Sequence, residues 1–205
     1  MSHSTVTGTD HIIGLVDHST IKGARHQVMH AHESNVEGNS HILGSIHKAS
    51  VKGRGHFVFN ADQLKVSGKS NTVFGGAHQV VSGQQNIIGG GDSHNVIGHE
   101  SVVLGGSNHV IKGSRSMALG GKDQHIVANG AIGMGASIKL NHDNAMLINT
   151  STEPLQSDRI GQLKIQASGG LDLQLSDDMT IALADGTGSW AVLSDRNLKT
   201  GIQAV

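Results

Sequence analysis

Apolar residues recur along this chain in two columns that keep a fifteen-residue period. One column runs Ile13, Val28, Leu43, Val58, Val73, Ile88, Val103 and Ala118; the other runs Val6, Ile21, Val36, Val51, Val66, Val81, Val96, Ile111 and Ile126. The two alternate at steps of seven and eight residues and are nearly all β-branched, so each repeat carries two short strands. Glycine fills a third column with the same period, at Gly8, Gly23, Gly38, Gly53, Gly68, Gly83, Gly98 and Gly113. Glycine accepts the positive φ that a sharp corner needs. A strand stacked on its copy one period later rises about 4.8 Å. The pattern predicts an all-β chain whose residues 1–135 form a parallel β-solenoid of fifteen-residue coils.

The two strands of a coil differ in what flanks their core residue. Around Ile13 and its copies the neighbouring columns are also largely apolar, with Ile12, Gln27, Ile42, Phe57, Thr72, Ile87, Val102 and Met117 on one side and Gly14, Met29, Gly44, Phe59, Phe74, Gly89, Leu104 and Leu119 on the other. Successive side chains of a strand point to opposite faces, so these flanking columns face away from the coil. A strand that is apolar on both faces is buried on both. Around Val6 and its copies the flanks are polar, with Thr20, Asn35, Ser50, Lys65, Lys22, Glu37 and Lys52, and that side is expected to face water. A long apolar stripe beyond the coil's own core calls for a partner, and self-association about the solenoid axis supplies one most simply.

Near Ala128 the period fails. Gly130, Gly133 and Gly135 replace one expected glycine, and Asn141 to Ser157 has no clear repeat, so 136–160 is expected to be a junction. Strict alternation follows at Leu163 and Ile165, at Leu171, Leu173 and Leu175, and at Met179, Ile181 and Leu183, with turns at Ser168-Gly169-Gly170 and Asp185-Gly186-Thr187-Gly188. These strands are too few for an independent sheet, so 161–193 is expected to be an interwoven stem built from several chains.

Composition narrows the function. The 205 residues hold no Cys, no Tyr, one Trp and three Phe, which leaves neither a disulfide framework nor a thick aromatic core. A thin solenoid needs neither. The formal charge of −1 provides no electrostatic footprint for nucleic acid or an anionic membrane. No run approaches the roughly 20 apolar residues of a membrane span, and the opening Met1 to Gly8 has no apolar run of the export-signal type. The first coil is already in phase at Ser4-Thr5-Val6-Thr7-Gly8. Such an uncapped edge is expected either to meet an upstream fibre or baseplate protein or to mark where a longer chain has been trimmed.

Short units within the repeat carry a resemblance. Asn86-Ile87-Ile88-Gly89, His94-Asn95-Val96-Ile97-Gly98, Ser101-Val102-Val103-Leu104-Gly105 and Ser116-Met117-Ala118-Leu119-Gly120 resemble the N-x-V-x-G coils of trimeric autotransporter adhesin heads, over about the first 135 residues. The resemblance implies a left-handed parallel β-roll and a homotrimer. It departs at His11, His26, His41 and His56, where that family places Asn or Ser. Near the other end, Ser194-Asp195-Arg196-Asn197-Leu198-Lys199 looks like the opening of the endosialidase-type intramolecular chaperone of phage tail fibres and tailspikes. That likeness implies a Ser194–Lys199 dyad, with Asp195 following the serine, that cuts between Leu193 and Ser194 after the trimer has folded. A desolvated lysine can take the hydroxyl proton in such a dyad. With residues 194–205 as only the start of that domain, the 205-residue chain itself is expected to stay uncut.

Other candidate chemistry is weaker. His30-Ala31-His32 would set two imidazoles on one face, and three chains would offer six to a transition metal. Both residues fall in turn columns shared with Asn60, Gly75, Asp62 and Asp92, so surface histidine is the expectation. The column His11, His26, His41, His56, Asn71, Asn86, Ser101 and Ser116 is expected to cap strands with stacked hydrogen bonds. The pairs Gly75-Gly76, Gly90-Gly91, Gly105-Gly106 and Gly120-Gly121 lack the helix and lysine of a phosphate loop and read as corners. Neither cofactor nor metal is called for. The expected role is structural and receptor-binding, in a phage or phage-like tail fibre or tailspike with a host-surface glycan or protein as receptor. That places it on a virion tail or extracellular injection particle. A trimeric adhesin head at a bacterial surface is the alternative, and a polysaccharide-degrading tailspike ranks third, since no carboxylate pair recurs at a hydrolytic spacing.

Overall fold

The computed structural model describes residues 5–15, 17–18, 20–30, 32–33, 35–39, 42–44, 50–55, 57–59, 65–176, 179–183 and 191–194. Among them there is no helix, and the strands form two parallel sheets of eleven strands each and one antiparallel sheet of three. One parallel sheet, termed the front sheet, starts at Ile12–Ile13 and ends at Leu163–Gln166. The other, the back sheet, starts at Thr5–Val6 and ends at Leu155–Gln156. The chain alternates between them, one strand at a time, which is the parallel β-solenoid that the period predicts.

Register follows the period. In the front sheet Val73, Ile88, Val103 and Ala118 pair in line, and in the back sheet Val66, Val81, Val96, Ile111 and Ile126 do the same. All nine side chains are buried, with Ile21 among the most deeply enclosed of the earlier coils. These columns form one continuous core between the sheets. Each β-branched residue meets a copy of itself above and below, which suits the stiff χ1 preference of such residues.

The stacking does not end at 135. Ile126 pairs with Leu140 and Gly133 with Leu147, steps of 14, and Ile138 then pairs with Leu155, a step of 17. The residues expected as a junction therefore add strands to both sheets, with Leu140, Leu147 and Leu155 buried. The corners absorb the changes in length, so pairing persists after the period is lost from the sequence. Asn149 braces the longest corner, donating from Nδ2 to the carbonyls of Ala136 and Glu153 at 2.7 and 2.8 Å while its Oδ1 accepts from the Ser151 amide at 2.9 Å.

Contacts divide the chain into two units, Met1–Ile165 and Gln166–Val205. In the second unit Leu171–Ser176, Met179–Leu183 and Ala191–Ser194 form the antiparallel sheet with Met179–Leu183 in the middle. Of the 161–193 segment, Leu163–Gln166 thus lies at the end of the front sheet, and the remaining strands pair with one another within the chain.

From Gly68 to Ile126 the corners repeat one arrangement. A glycine is followed three residues later by a buried polar side chain and two residues after that by the core residue: Gly83, Asn86 and Ile88 on the front sheet, Gly91, His94 and Val96 on the back. Asn86 Nδ2 donates to the Gly98 carbonyl at 2.7 Å, while Asn71 Oδ1 accepts from the Asn86 amide at 3.0 Å and Asn86 Oδ1 from the Ser101 amide at 2.9 Å. Ser101 and Ser116 continue the ladder, their hydroxyls donating to Gly113 and Ala128 carbonyls at 3.0 and 2.8 Å. The glycine is needed for space. A Cβ on Gly91 would lie 2.2 Å from His94 Nε2, and one on Gly106 would lie 2.3 Å from His109 Nε2.

Gly91→Ala should therefore destabilise the fold far more than Gly105→Ala. Both have positive φ, which costs an alanine about 1–2 kcal/mol, but a Cβ on Gly105 meets nothing within 4 Å. Denaturant unfolding of the two variants checks this, with a loss beyond about 3 kcal/mol expected for Gly91→Ala alone; equal losses would show that the ladder can shift to make room.

Candidate functional site

The outer surfaces of the two sheets are the places where this fold can meet anything else. On the front sheet the outward column Ile87, Val102, Met117, Ile132 and Met146 is continuous in register, and beside it runs Leu104, Leu119, Met134 and Ile148. Five strands at the ladder spacing span roughly 20 Å. Ile12, Met29, Phe74, Ile87 and Leu104 are 44–65% exposed in the single chain, so the apolar flank foreseen from the sequence lies bare on the solenoid. Continuous patches of this kind mark sites of association.

The back sheet is polar in its early coils, where Lys22 and Glu37 stand in one register column. Later coils depart from that expectation. Val80, Ile97 and Val127 are exposed there, interspersed with Lys65, Lys112, His125 and Lys139. The face is thus aliphatic and cationic rather than simply polar. His125 is held below its ordinary range by burial and by the ammonium groups of Lys112 and Lys139.

Buried histidines form part of the corner ladders. The front ladder matches the column read from the sequence, including stacked rings of His11 and His26, 5.2 Å apart and 3° from parallel. His11 Nε2 lies 3.1 Å from the Thr7 carbonyl. His41 and His56 lie outside the described residues. The back ladder, Gln79, His94, His109 and Gln124, was not singled out from sequence, although each member stands two residues before a core position in the same way. His94 and His109 stack at 4.8 Å. His94 Nδ1 accepts from the His109 amide and His109 Nδ1 from the Gln124 amide, both at 3.3 Å. An imidazole that accepts at Nδ1 must be neutral with its proton on Nε2, and Nε2 of His94 is buried over Gly91 with no hydrogen-bond partner among the described residues. Burial, reinforced by neighbouring His109, pushes His94 down to about 4, and burial likewise lowers His109 and His26.

His30 is exposed with φ 61°, and His32 Nδ1 lies 3.4 Å from Asp17 Oδ2 and its Nε2 3.9 Å from Glu33 Oε1, all partly exposed groups. Among the described residues no group of three or more His, Cys, Asp or Glu is placed to hold a metal. Leu193 and Ser194 end the strand Ala191–Ser194, in register with Thr180 and Met179. Asp195 and Lys199 of the expected dyad lie outside the described residues.

No protein-family model matches the chain, and neither a curated protein nor a solved structure is significantly similar to it. The β-solenoid therefore stands on the periodicity and the pairing alone.

The histidine ladder predicts an acid-sensitive fold. His94 has a folded pKa of about 4 against 6.5 for the free side chain, so the unfolded chain takes up a proton first as pH falls. Stability is full above about pH 6.5, declines as pH falls toward 4 and then levels off, with this group alone contributing on the order of 3 kcal/mol. His94→Gln, which copies Gln79 and Gln124 of the same column, should flatten the curve between pH 7 and 4 in denaturant titrations. An unchanged slope would place the titrating groups elsewhere.

Proposed function

We propose that this chain is a structural and receptor-binding segment of a phage or phage-like tail fibre or tailspike, assembled as a homotrimer through the outer face of the front sheet. The observation that carries the reading is the continuous column from Ile87 to Met146 with its exposed neighbours Phe74 and Leu104. Three copies packed face to face would bury it without capping the ends of the solenoid, leaving the stack free to join an upstream fibre or baseplate protein. The back sheets would then remain outside, where a host-surface glycan or protein can be met, on a virion tail or injection particle. Support for a trimeric adhesin head at a bacterial surface comes from the Asn and Ser ladder of Asn71, Asn86, Ser101 and Ser116, which resembles the coils of that family. Maturation by a cut between Leu193 and Ser194 rests on the resemblance of Ser194 to Lys199, and a longer product carrying the complete chaperone domain should remain uncut when Ser194→Ala or Lys199→Ala is introduced, as mass spectrometry would read.

Light scattering tests the assembly. The expected mass is about three times the 21.3 kDa chain. Leu104→Asp should break the particle apart, whereas Lys65→Asp on the back sheet should leave it whole. A soluble monomer of the unaltered chain, or equal effects of the two variants, would remove the proposed interface.

A further inference from the structure

Charge of one sign gathers on the back sheet where the later coils stack. Register places Val110, His125 and Lys139 in one column on consecutive strands, so the backbones at His125 and Lys139 are about 4.8 Å apart. Lys112 follows Val110 by two residues and shares its face. It is diagonal to His125 at about 7 Å, within reach of a long side chain. Both ammonium groups act on His125, and among the described residues no carboxylate does. Neither the Lys112 nor the Lys139 ammonium group has a hydrogen-bond or ion-pair partner among the described residues. Other lysines of these coils are paired, Lys122 with Asp123 at 3.8 Å and Lys164 with Asp158 at 2.8 Å.

Like charges held together without a counter-ion repel one another, so a fixed sheet register that gathers them favours whatever anion arrives. The surroundings limit what that anion is attached to. Ile97 and Val127 flank Lys112 in the adjoining column and are 45% and 37% exposed, giving an aliphatic step beside the cations. Gln156, exposed and in register with Lys139, offers an amide at the column's end. An anion, an apolar ring face and hydroxyl groups are together the chemistry of an acidic sugar. We infer that Lys112, His125 and Lys139 bind the acid group of an anionic saccharide whose ring packs on Ile97 and Val127. The inference rests on the receptor-binding reading above, in which copies cover the front sheet and leave this face open.

Intact chain applied to printed glycans in three sets, carboxylate-bearing, phosphate- or sulfate-bearing, and neutral, tests it. Signal is expected on acidic sets only, and the responding set identifies the acid. The double variant K112Q/K139Q should lose at least about tenfold in apparent affinity while keeping the unaltered protein's mass by light scattering. Should the variant change size, the unaltered protein's signal on acidic glycans is followed from about 0.05 to 0.5 M salt, over which screening should weaken it strongly. Signal on neutral glycans alone, or acidic signal indifferent to both the variant and salt, overturns the saccharide assignment and leaves the receptor-binding fibre in place. Silence on all three sets overturns it too, and the fibre reading then stands or falls on the trimer mass.

Discussion

The solenoid depends on how a coil turns its corner without leaving polar backbone unpaired. Strands of two to five residues are too short for their ladders alone to account for the carbonyls at each bend. A buried Asn or Ser folds back over the corner and reaches those carbonyls while its own oxygen takes the amide of the equivalent residue one coil on; Gln makes only the first kind of bond and His94 and His109 only the second. Two further demands follow. The side chain fits only over a glycine, and the residue just before it is forced to positive φ, as at Gln85, Ser93, Glu100, Asn108 and Arg115. Each such non-glycine residue carries local strain of order 1 kcal/mol, which the ladder must offset. Corner hydrogen bonding, glycine placement and backbone strain are thus one linked constraint, repeated coil after coil.

Because every coil contacts chiefly its neighbours, the fold tolerates local change. Asn, Ser and His interchange along the front ladder, and Gln and His along the back, since each presents a donor and an acceptor at similar reach. Histidine does so only when neutral, and that requirement makes the ladder sensitive to acid where an amide would not be. The irregular coils after Ala128 show the same tolerance in length. Shorter and longer corners feed strands into unchanged register, because pairing is decided by the flanking apolar residues and not by loop length.

The two outer faces divide the remaining chemistry. One is apolar over many strands; the other mixes aliphatic residues with lysines whose ammonium groups, at Lys112 and Lys139, have no ion-pair partner among the described residues. Neither face enters the internal core, so both can vary without altering the coil. A solenoid of this kind separates the residues that hold it together from those that recognise something else.

Sequence alone determined the class of fold, the two core columns, the glycine corners and the front ladder, because each depends on a contact between residues one period apart. It also marked the front sheet as apolar on both faces. The back ladder was equally periodic at Gln79, His94, His109 and Gln124, yet glutamine and histidine are usually surface residues, so their burial was not apparent. Two matters were decided only by tertiary structure. The strands from Ile138 to Gln166 join the solenoid although their spacing is irregular, since hydrogen-bond register can be kept across corners of unequal length. Lys112, His125 and Lys139 come together because stacking sets consecutive coils about 4.8 Å apart, while along the chain they stand 13 and 14 residues apart.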